Sequence, residues 1–236
     1  MNGPPDDVDL DRVWISVTAQ VWRRQPGVLE RTAARLLRSP GLARALLTAP
    51  SLLLPWLIAS VVVLAAGAAA TLSSGQPLVA LLAPAVAAAA IAYSYGPGVD
   101  PAWELSCSMA VSDRMVLLAR ALATFAVNAA LGLAASAVSA ATTSGAAAAI
   151  TFGWLVPMTA VCAFALAVAT VARSASAGAA AGVTSWLIIV LSGRVASGHF
   201  ADAATDTALF LPYLAIGAVC AAVALYATRI PRGLFR

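Results

Sequence analysis

Six long apolar runs, separated by short polar stretches, set the strongest limit on how this chain folds. Each is judged against the roughly 20 apolar residues that an α-helix needs to cross the hydrocarbon core of a bilayer. The predicted spans, numbered one to six, are about residues 51–72, 78–95, 115–141, 146–171, 177–193 and 208–228, the fifth being short. Of the 236 residues, 61% are hydrophobic and 10% charged, and the mean hydropathy is +0.90. Most of the surface must therefore face lipid, and we predict an all-α, polytopic membrane protein with six transmembrane helices.

The basic residues predict the orientation of these spans. All 14 are Arg and none is Lys. They precede span one, follow span six, and lie between spans two and three and between spans four and five, whereas residues 73–77 and 142–145 carry no charge. Only Arg194 falls on the other side. Because cytoplasmic loops are enriched in Lys and Arg, both termini are predicted to be cytoplasmic. The use of Arg alone and the Ala-rich spans suggest a high-GC bacterial genome, so the membrane is predicted to be the inner (plasma) membrane of a bacterium.

The chain divides into three regions on this basis. Residues 1–48 are predicted to form cytoplasmic N-terminal and interfacial helices, and residues 229–236 a cytoplasmic tail. The transmembrane domain, residues 49–228, contains a polar segment at 96–114 and a possible re-entrant segment at 192–207. Irregular backbone at membrane depth would need cover from protein or water.

The N-terminal region contains a predicted helix with one basic face. It begins near Gly27 and places Arg31, Arg35 and Arg38 together, with apolar residues turned elsewhere. This pattern is typical of a helix in the membrane interface, in contact with lipid; a solvated basic tail is the alternative. Since the Arg residues flank apolar runs and do not cluster on a soluble domain, no nucleic-acid partner is predicted.

The segment of residues 96–114 is a polar interior stretch that contains both acids and bases. Gly and Pro at its start break any helix that enters it. Asp100 and Pro101 then predict the N-cap and first residue of a short helix that contains Trp103 and Glu104. A short cytoplasmic helix between two membrane spans is suited to docking a soluble motor.

Several kinds of chemistry lack their residues in this chain. A phosphate-binding P-loop requires a Lys, and the chain has none. His199 is the sole histidine and is predicted in an outer loop, so a His-based metal site or a Ser-His triad is incomplete. No Asp or Glu lies inside a predicted span, which argues against proton transport on buried carboxylates. We therefore predict that the chain is not an enzyme and holds no cofactor or metal itself.

Small and polar residues inside the spans suggest contacts between helices. Asn128 is the most polar uncharged residue within a span; it lines a translocation path or hydrogen-bonds a neighbouring helix. Gly178 and Gly182 form a GxxxG pair on span five, which lets helices approach closely.

These features together resemble the membrane subunit of a bacterial ABC transporter of the type-2 exporter class. The most specific stretch runs from Trp103-Glu104-Leu105 through Ser112-Asp113-Arg114 to Leu117-Leu118-Ala119-Arg120. It is similar to the family's Glu-containing coupling helix, Ser-containing turn and Leu-rich start of span three. The family usually has Pro before that turn, where this chain has Ala110-Val111, and often Lys where Arg120 stands.

The resemblance implies a dimer of permease subunits, homo- or heteromeric, each docked on a separate ATP-binding-cassette subunit that holds ATP and Mg. The partner-coupling residues it implies are Asp100, Trp103, Glu104, Leu105 and Met109. In the family, spans one and five meet at the dimer axis, which fits a dimer contact at Gly178 and Gly182. The weakly charged spans favour a lipophilic or amphiphilic cargo that is exported.

Two other functions compete with this one. A membrane-embedded enzyme would need paired acids or a His near the interface, and the acids here are scattered. A non-transporting sensor or scaffold that recruits a cytosolic regulator through the N-terminal helices needs no such residues. Co-purification of a stoichiometric ATPase would distinguish that scaffold from an exporter.

Overall fold

The computed structural model describes residues 12–15, 27–37, 50–74, 78–95, 113–142, 153–197 and 207–228. Within these ranges the chain is helical apart from short turns, and they contain no strand. The described helices are α1 Val28–Leu37, α2 Pro50–Ser74, α3 Leu78–Ala92, α4 Asp113–Thr142, α5 Leu155–Ala172, α6 Ala175–Ser197 and α7 Phe210–Ala227, the last preceded by the 3₁₀ turn Thr207–Leu209. The chain divides into two compact units, Met1–Leu47 and Thr48–Arg236.

In the N-terminal unit, α1 covers part of the stretch predicted to be a helix with one basic face. It begins directly after Gly27, whose carbonyl accepts a hydrogen bond from the Arg31 amide at 3.0 Å. Arg31 and Arg35 are both exposed and lie four residues apart, so they project from the same side of the helix. Arg38, predicted on that face, lies outside the described residues.

In the second unit, five helices are long and apolar enough to cross a membrane: α2, α4, α5, α6 and α7. These helices indicate a multi-pass membrane protein, and they coincide with predicted spans one, three, four, five and six. Span two corresponds to α3, which has 15 residues and is shorter than a typical crossing. Single i to i−3 hydrogen bonds extend its turns as far as Tyr95.

The helices pack around α3 and α5. Helix α5 contacts α3, α6 and α7, and α3 also contacts α2, α4 and α6. Of the residues in α5, 56% are buried inside the structure, against 11% of those in α7. Helix α5 is therefore central, whereas α7 leaves most of its apolar surface for lipid or another chain. Close packing is possible because α5 presents small residues, among them Ala160, Ala165 and Ala169.

Short connections fix two helical hairpins. Between α2 and α3, the Thr71 hydroxyl accepts a hydrogen bond from the Leu78 amide at 3.2 Å, which satisfies a free donor at the start of α3. Between α5 and α6, the Ser174 hydroxyl accepts from the Ala177 amide at 3.3 Å and caps α6. Arg173 ends α5 in the left-handed region, with φ of 53°. Gly adopts that conformation more easily than Arg does, but Arg173 places a positive charge at this turn.

The structure differs from the sequence in the length of span five and in the start of the possible re-entrant segment. Span five is not short: α6 extends from Ala175 to Ser197, which is 23 residues. The possible re-entrant segment, residues 192–207, begins as a continuation of this helix, and its residues 198–206 lie outside the described part of the chain. Loss of hydropathy near Ser192 and Arg194 did not end the helix, because neither residue breaks one.

Candidate functional site

The residues predicted to couple the chain to a partner lie outside the described part of the structure: Asp100, Trp103, Glu104, Leu105 and Met109. The helices on either side of them are described. Ser94, two residues past the end of α3, donates a hydrogen bond to the Thr124 hydroxyl of α4 at 3.3 Å. Thr124 lies 11 residues after the start of α4, or about 16 Å along the helix axis. The first three turns of α4 therefore extend beyond the level of Ser94.

Asn128, predicted as a pathway or packing residue, lies on a buried polar row of α4. Its side-chain amide donates to the Thr124 carbonyl at 2.8 Å, and Thr124 also accepts from Ser94. Asn128 is 2% exposed, and its Oδ1 atom has no hydrogen-bond partner. An amide carbonyl oxygen can accept two hydrogen bonds, so the acceptor side of Asn128 is unused.

Three more buried polar atoms of the described residues are unpaired. They are the Trp154 and Trp56 indole nitrogens and the Ser60 hydroxyl. Trp154 stands just before α5, and its six-membered ring lies against Gly132 of α4, where an added Cβ would be 2.5 Å from Cη2. Trp56 and Ser60 are one turn apart on α2, which packs against α4. Unpaired polar groups are costly in an apolar medium, so these four atoms are exceptions among the buried polar groups of the described residues.

Gly178 and Gly182 make close contacts, but within the chain. A Cβ at Gly178 would lie 2.6 Å from the Ala165 carbonyl oxygen, and one at Gly182 would lie 2.8 Å from the Ala165 Cβ. A Cβ at Gly182 would also lie 3.0 Å from the Cβ of Ala88. The glycine face of α6 is thus filled by α5 and α3 of the same chain. The resemblance to ABC exporters implied that this close approach was to a second subunit.

Comparison of the chain with models of protein families, with curated proteins and with solved structures finds no match. Among the described residues, no group of three or more His, Cys, Asp or Glu is placed to hold a metal ion. Within the described residues, the helix bundle is distinguished by its unpaired buried polar atoms and by its close helix crossings.

One crossing is held by a hydrogen bond between a side chain and the backbone. The Trp186 indole N–H of α6 donates to the Leu81 carbonyl of α3 at 2.6 Å, and Trp186 is 1% exposed. Pro84 interrupts α3 three residues later and has no N–H to donate to the Ala80 carbonyl. Trp186 therefore joins α6 to the turn of α3 that its proline weakens.

Replacing Trp186 with Phe should lower the free energy of unfolding by about 1 kcal/mol. The phenyl ring retains most of the packing, but the Leu81 carbonyl loses its indole donor. Trp56→Phe is the matched control, because the Trp56 indole nitrogen is buried without a partner and its removal breaks no hydrogen bond. Equilibrium unfolding in detergent micelles measures both variants. Equal stability of the two would show that the Trp186 hydrogen bond contributes nothing.

Asn128 can be singled out from the sequence because it is the most polar uncharged residue in the predicted spans, whereas the buried tryptophans cannot. Trp154 and Trp186 are apolar enough to pass as ordinary span residues. Their only sequence signal was the presence of a large aromatic residue among Ala and Gly, which requires a small residue opposite it. That residue is Gly132 for Trp154, and the sequence does not show which glycine faces which ring.

Proposed function

We propose that this chain is the transmembrane permease subunit of an ABC exporter, which moves a lipophilic or amphiphilic cargo out of the cell. Five long apolar helices support its place in the membrane. ATP and Mg would be held by a separate ATPase subunit, and two permease subunits, identical or different, would form the pathway.

The observation that carries this proposal is the stagger between α3 and α4. Helix α4 has 30 residues and is about 45 Å long, whereas the hydrocarbon core is about 30 Å thick. The bond from Ser94 to Thr124 leaves its first three turns, with Asp113, Arg114 and Arg120, beyond the level of Ser94. This charged end has the length and composition of a helix that leaves the membrane on its positive side.

The stagger also sets the distance that the segment of residues 96–112 has to span. Its 17 residues connect the end of α3 with the far end of the α4 extension, about 16 Å away along the axis. A helix of ten residues, from Asp100 to Met109, is about 15 Å long and fits this distance with connecting residues to spare. The segment would present Trp103 and Glu104 to an ATPase on the cytoplasmic side.

The mechanism would be mechanical. Closure of the ATPase subunits on ATP would displace the segment of residues 96–112, and α4, which begins directly after it, would transmit the movement into the membrane. Helices α2, α3 and α6 would then rearrange to open the pathway outward. Trp186 and Pro84 lie where α6 meets α3, so this crossing would change during the rearrangement.

A second permease subunit would have to use other surfaces than the glycine face of α6. That helix exposes Leu187, Ile188 and Leu191, and α2 exposes Ile58 and Val62. These apolar side chains are available to a second subunit or to lipid. The predicted dimer contact is therefore better sought there than at Gly178 and Gly182.

The proposal requires a cytoplasmic coupling segment, and cysteine accessibility tests this requirement. In a background without native cysteines, single cysteines at Ser112 and Ser174 should react only after the membrane is opened. Cysteines at Ser74, Ser144 and Ser197 should react in intact cells. Labelling of Ser112→Cys from outside would exclude contact with a cytosolic ATPase and contradict the proposal.

A further inference from the structure

Helix α1 leaves one face exposed, and that face is basic. Four residues on it are exposed and lie within an arc of about 100° around the helix axis: Val28, Arg31, Thr32 and Arg35. Arg31 and Arg35 are one turn apart, which places their Cβ atoms about 5–6 Å from each other. The four residues include no acid. Two guanidinium groups are therefore presented together, in the spacing and with the charge that suit phosphate groups.

The sequence around α1 carries the same charge. Residues 12–44 contain seven Arg and a single acid, Glu30. This stretch ends six residues before α2 begins at Pro50. A cluster of four to eight basic residues next to a membrane span is typical of segments that bind anionic lipids. The basic face of α1 thus belongs to a longer basic region that lies directly before the first membrane helix.

A second described segment of the N-terminal unit exposes apolar residues. Residues 12–15 are helical, and Val13, Trp14 and Ile15 are 47%, 68% and 66% exposed. Exposure of three consecutive large apolar side chains to water is unfavourable. A membrane surface removes such side chains from water, and Trp is enriched there. Nucleic acid could neutralise the Arg residues but would leave these side chains in water, whereas a membrane offers both phosphates and hydrocarbon.

The covalent connection to α2 keeps α1 within reach of a membrane. Residues 38–49 join the two helices and extend to at most about 45 Å. Helix α2 is long and apolar enough to cross a bilayer. An acidic protein would therefore compete with lipid headgroups that are always within this reach. We propose that the N-terminal unit binds anionic phospholipids of the leaflet in which α2 begins, with Arg31 and Arg35 contacting their phosphate groups. This binding does not depend on the proposed transport function.

A spin label on the exposed face measures this contact. In a chain without native cysteines, Val28→Cys carries the label, because Val28 is 70% exposed on the same side of α1 as Arg31 and Arg35. In nanodiscs of phosphatidylcholine, added phosphatidylglycerol should saturably reduce collisions between the label and a neutral, water-soluble nickel chelate. A neutral chelate is used because lipid charge does not change its concentration at the surface. About 1 M NaCl should restore the collisions, since it shortens the Debye length to about 3 Å.

Charge variants separate lipid binding from a structural role of the two Arg residues. Arg31→Gln with Arg35→Gln should lower the ratio of membrane-bound to free α1 about 30-fold at a fixed phosphatidylglycerol content, which corresponds to about 1 kcal/mol for each charge. Arg31→Lys with Arg35→Lys keeps both charges and should retain most of the protection. Equal losses in the two double variants would overturn the proposal, because the effect would then not follow charge.

The lipid comparison can also contradict the proposal. Equal accessibility of the label with and without phosphatidylglycerol would show that anionic lipid is not bound. A label that stays accessible in both lipids, and is protected only when a soluble polyanion such as heparin is added, would assign the basic face to a soluble acidic partner instead. The nanodiscs contain no ATPase, so neither result bears on the transport proposal.

Discussion

Gly178→Ala should lower the free energy of unfolding by about 1–3 kcal/mol, the usual cost of overpacking a filled core. The new methyl carbon would lie 2.6 Å from the Ala165 carbonyl oxygen and 2.6 Å from the Ala169 Cβ, both on α5. It would also lie 3.0 Å from the Ala169 Cα. Two of these atoms belong to the backbone, so no rotation of a side chain relieves the contact. The two-residue turn between α5 and α6 also limits how far α6 can move away.

Gly217→Ala is the matched control, because it makes the same change at another crossing of α5. Its methyl carbon would lie 3.4 Å from the Ala160 Cα, which is close to an ordinary contact distance. Its stability should change by less than about 1 kcal/mol. Gly182→Ala should fall between the two, because its nearest contacts are methyl groups at 2.8 and 3.0 Å. In micelles, the loss of unfolding free energy should therefore be largest for Gly178→Ala, intermediate for Gly182→Ala and smallest for Gly217→Ala. Equal stabilities would contradict the close crossing of α6 and α5 at Gly178.

The same variants separate packing within the chain from packing between subunits. If Gly178 contacts only α5 of its own chain, Gly178→Ala should lower stability without changing the proportion of dimer in cross-linking experiments. Loss of dimer with unchanged stability would instead return the GxxxG pair to a subunit interface, as the sequence first suggested.

The sequence predicted the membrane-spanning helices well because hydropathy and helix formation respond to the same apolar runs. The sequence predicted helix ends less accurately where the apolar run and the helix end at different residues. Helix α6 continues through Ser192 and Arg194 to Ser197, because polar residues end the apolar run without breaking the helix. Helix α3 ends at Ala92, before the Gly96-Pro97 breakers, and its last turns change to i to i−3 bonds.

The candidate site was only half predictable for a different reason. A single polar residue such as Asn128 is visible in an apolar span, but its neighbours depend on how helices pack. Trp186 and the Leu81 carbonyl are 105 residues apart in the chain. The GxxxG pattern likewise indicated a close approach without indicating the partner helix, which the structure identifies as α5, with α3 also near Gly182.

Trp103→Ala should release the proposed ATPase from the membrane subunit. Trp103 is the large aromatic residue in the segment that would dock on the ATPase, and truncating a buried aromatic anchor costs about 2 kcal/mol or more. That cost corresponds to about 30-fold weaker binding. Glu104, placed at the edge of the contact, should matter much less when changed to Ala. The spans should insert normally in both variants, because residues 96–112 lie outside the apolar helices.

Affinity purification from the native membrane, followed by ATPase measurement in nanodiscs, tests this expectation. The unchanged chain should retain a stoichiometric ATPase, and Trp103→Ala should lose it or uncouple its activity. Trp14→Ala is the control, because Trp14 is a 68% exposed tryptophan of the N-terminal unit. If Trp103→Ala and Glu104→Ala both behave like the unchanged chain, the segment is an ordinary loop and the exporter proposal loses its main support. Loss of a cytosolic partner in Trp14→Ala alone would instead favour a scaffold that recruits a regulator through its N-terminal helices.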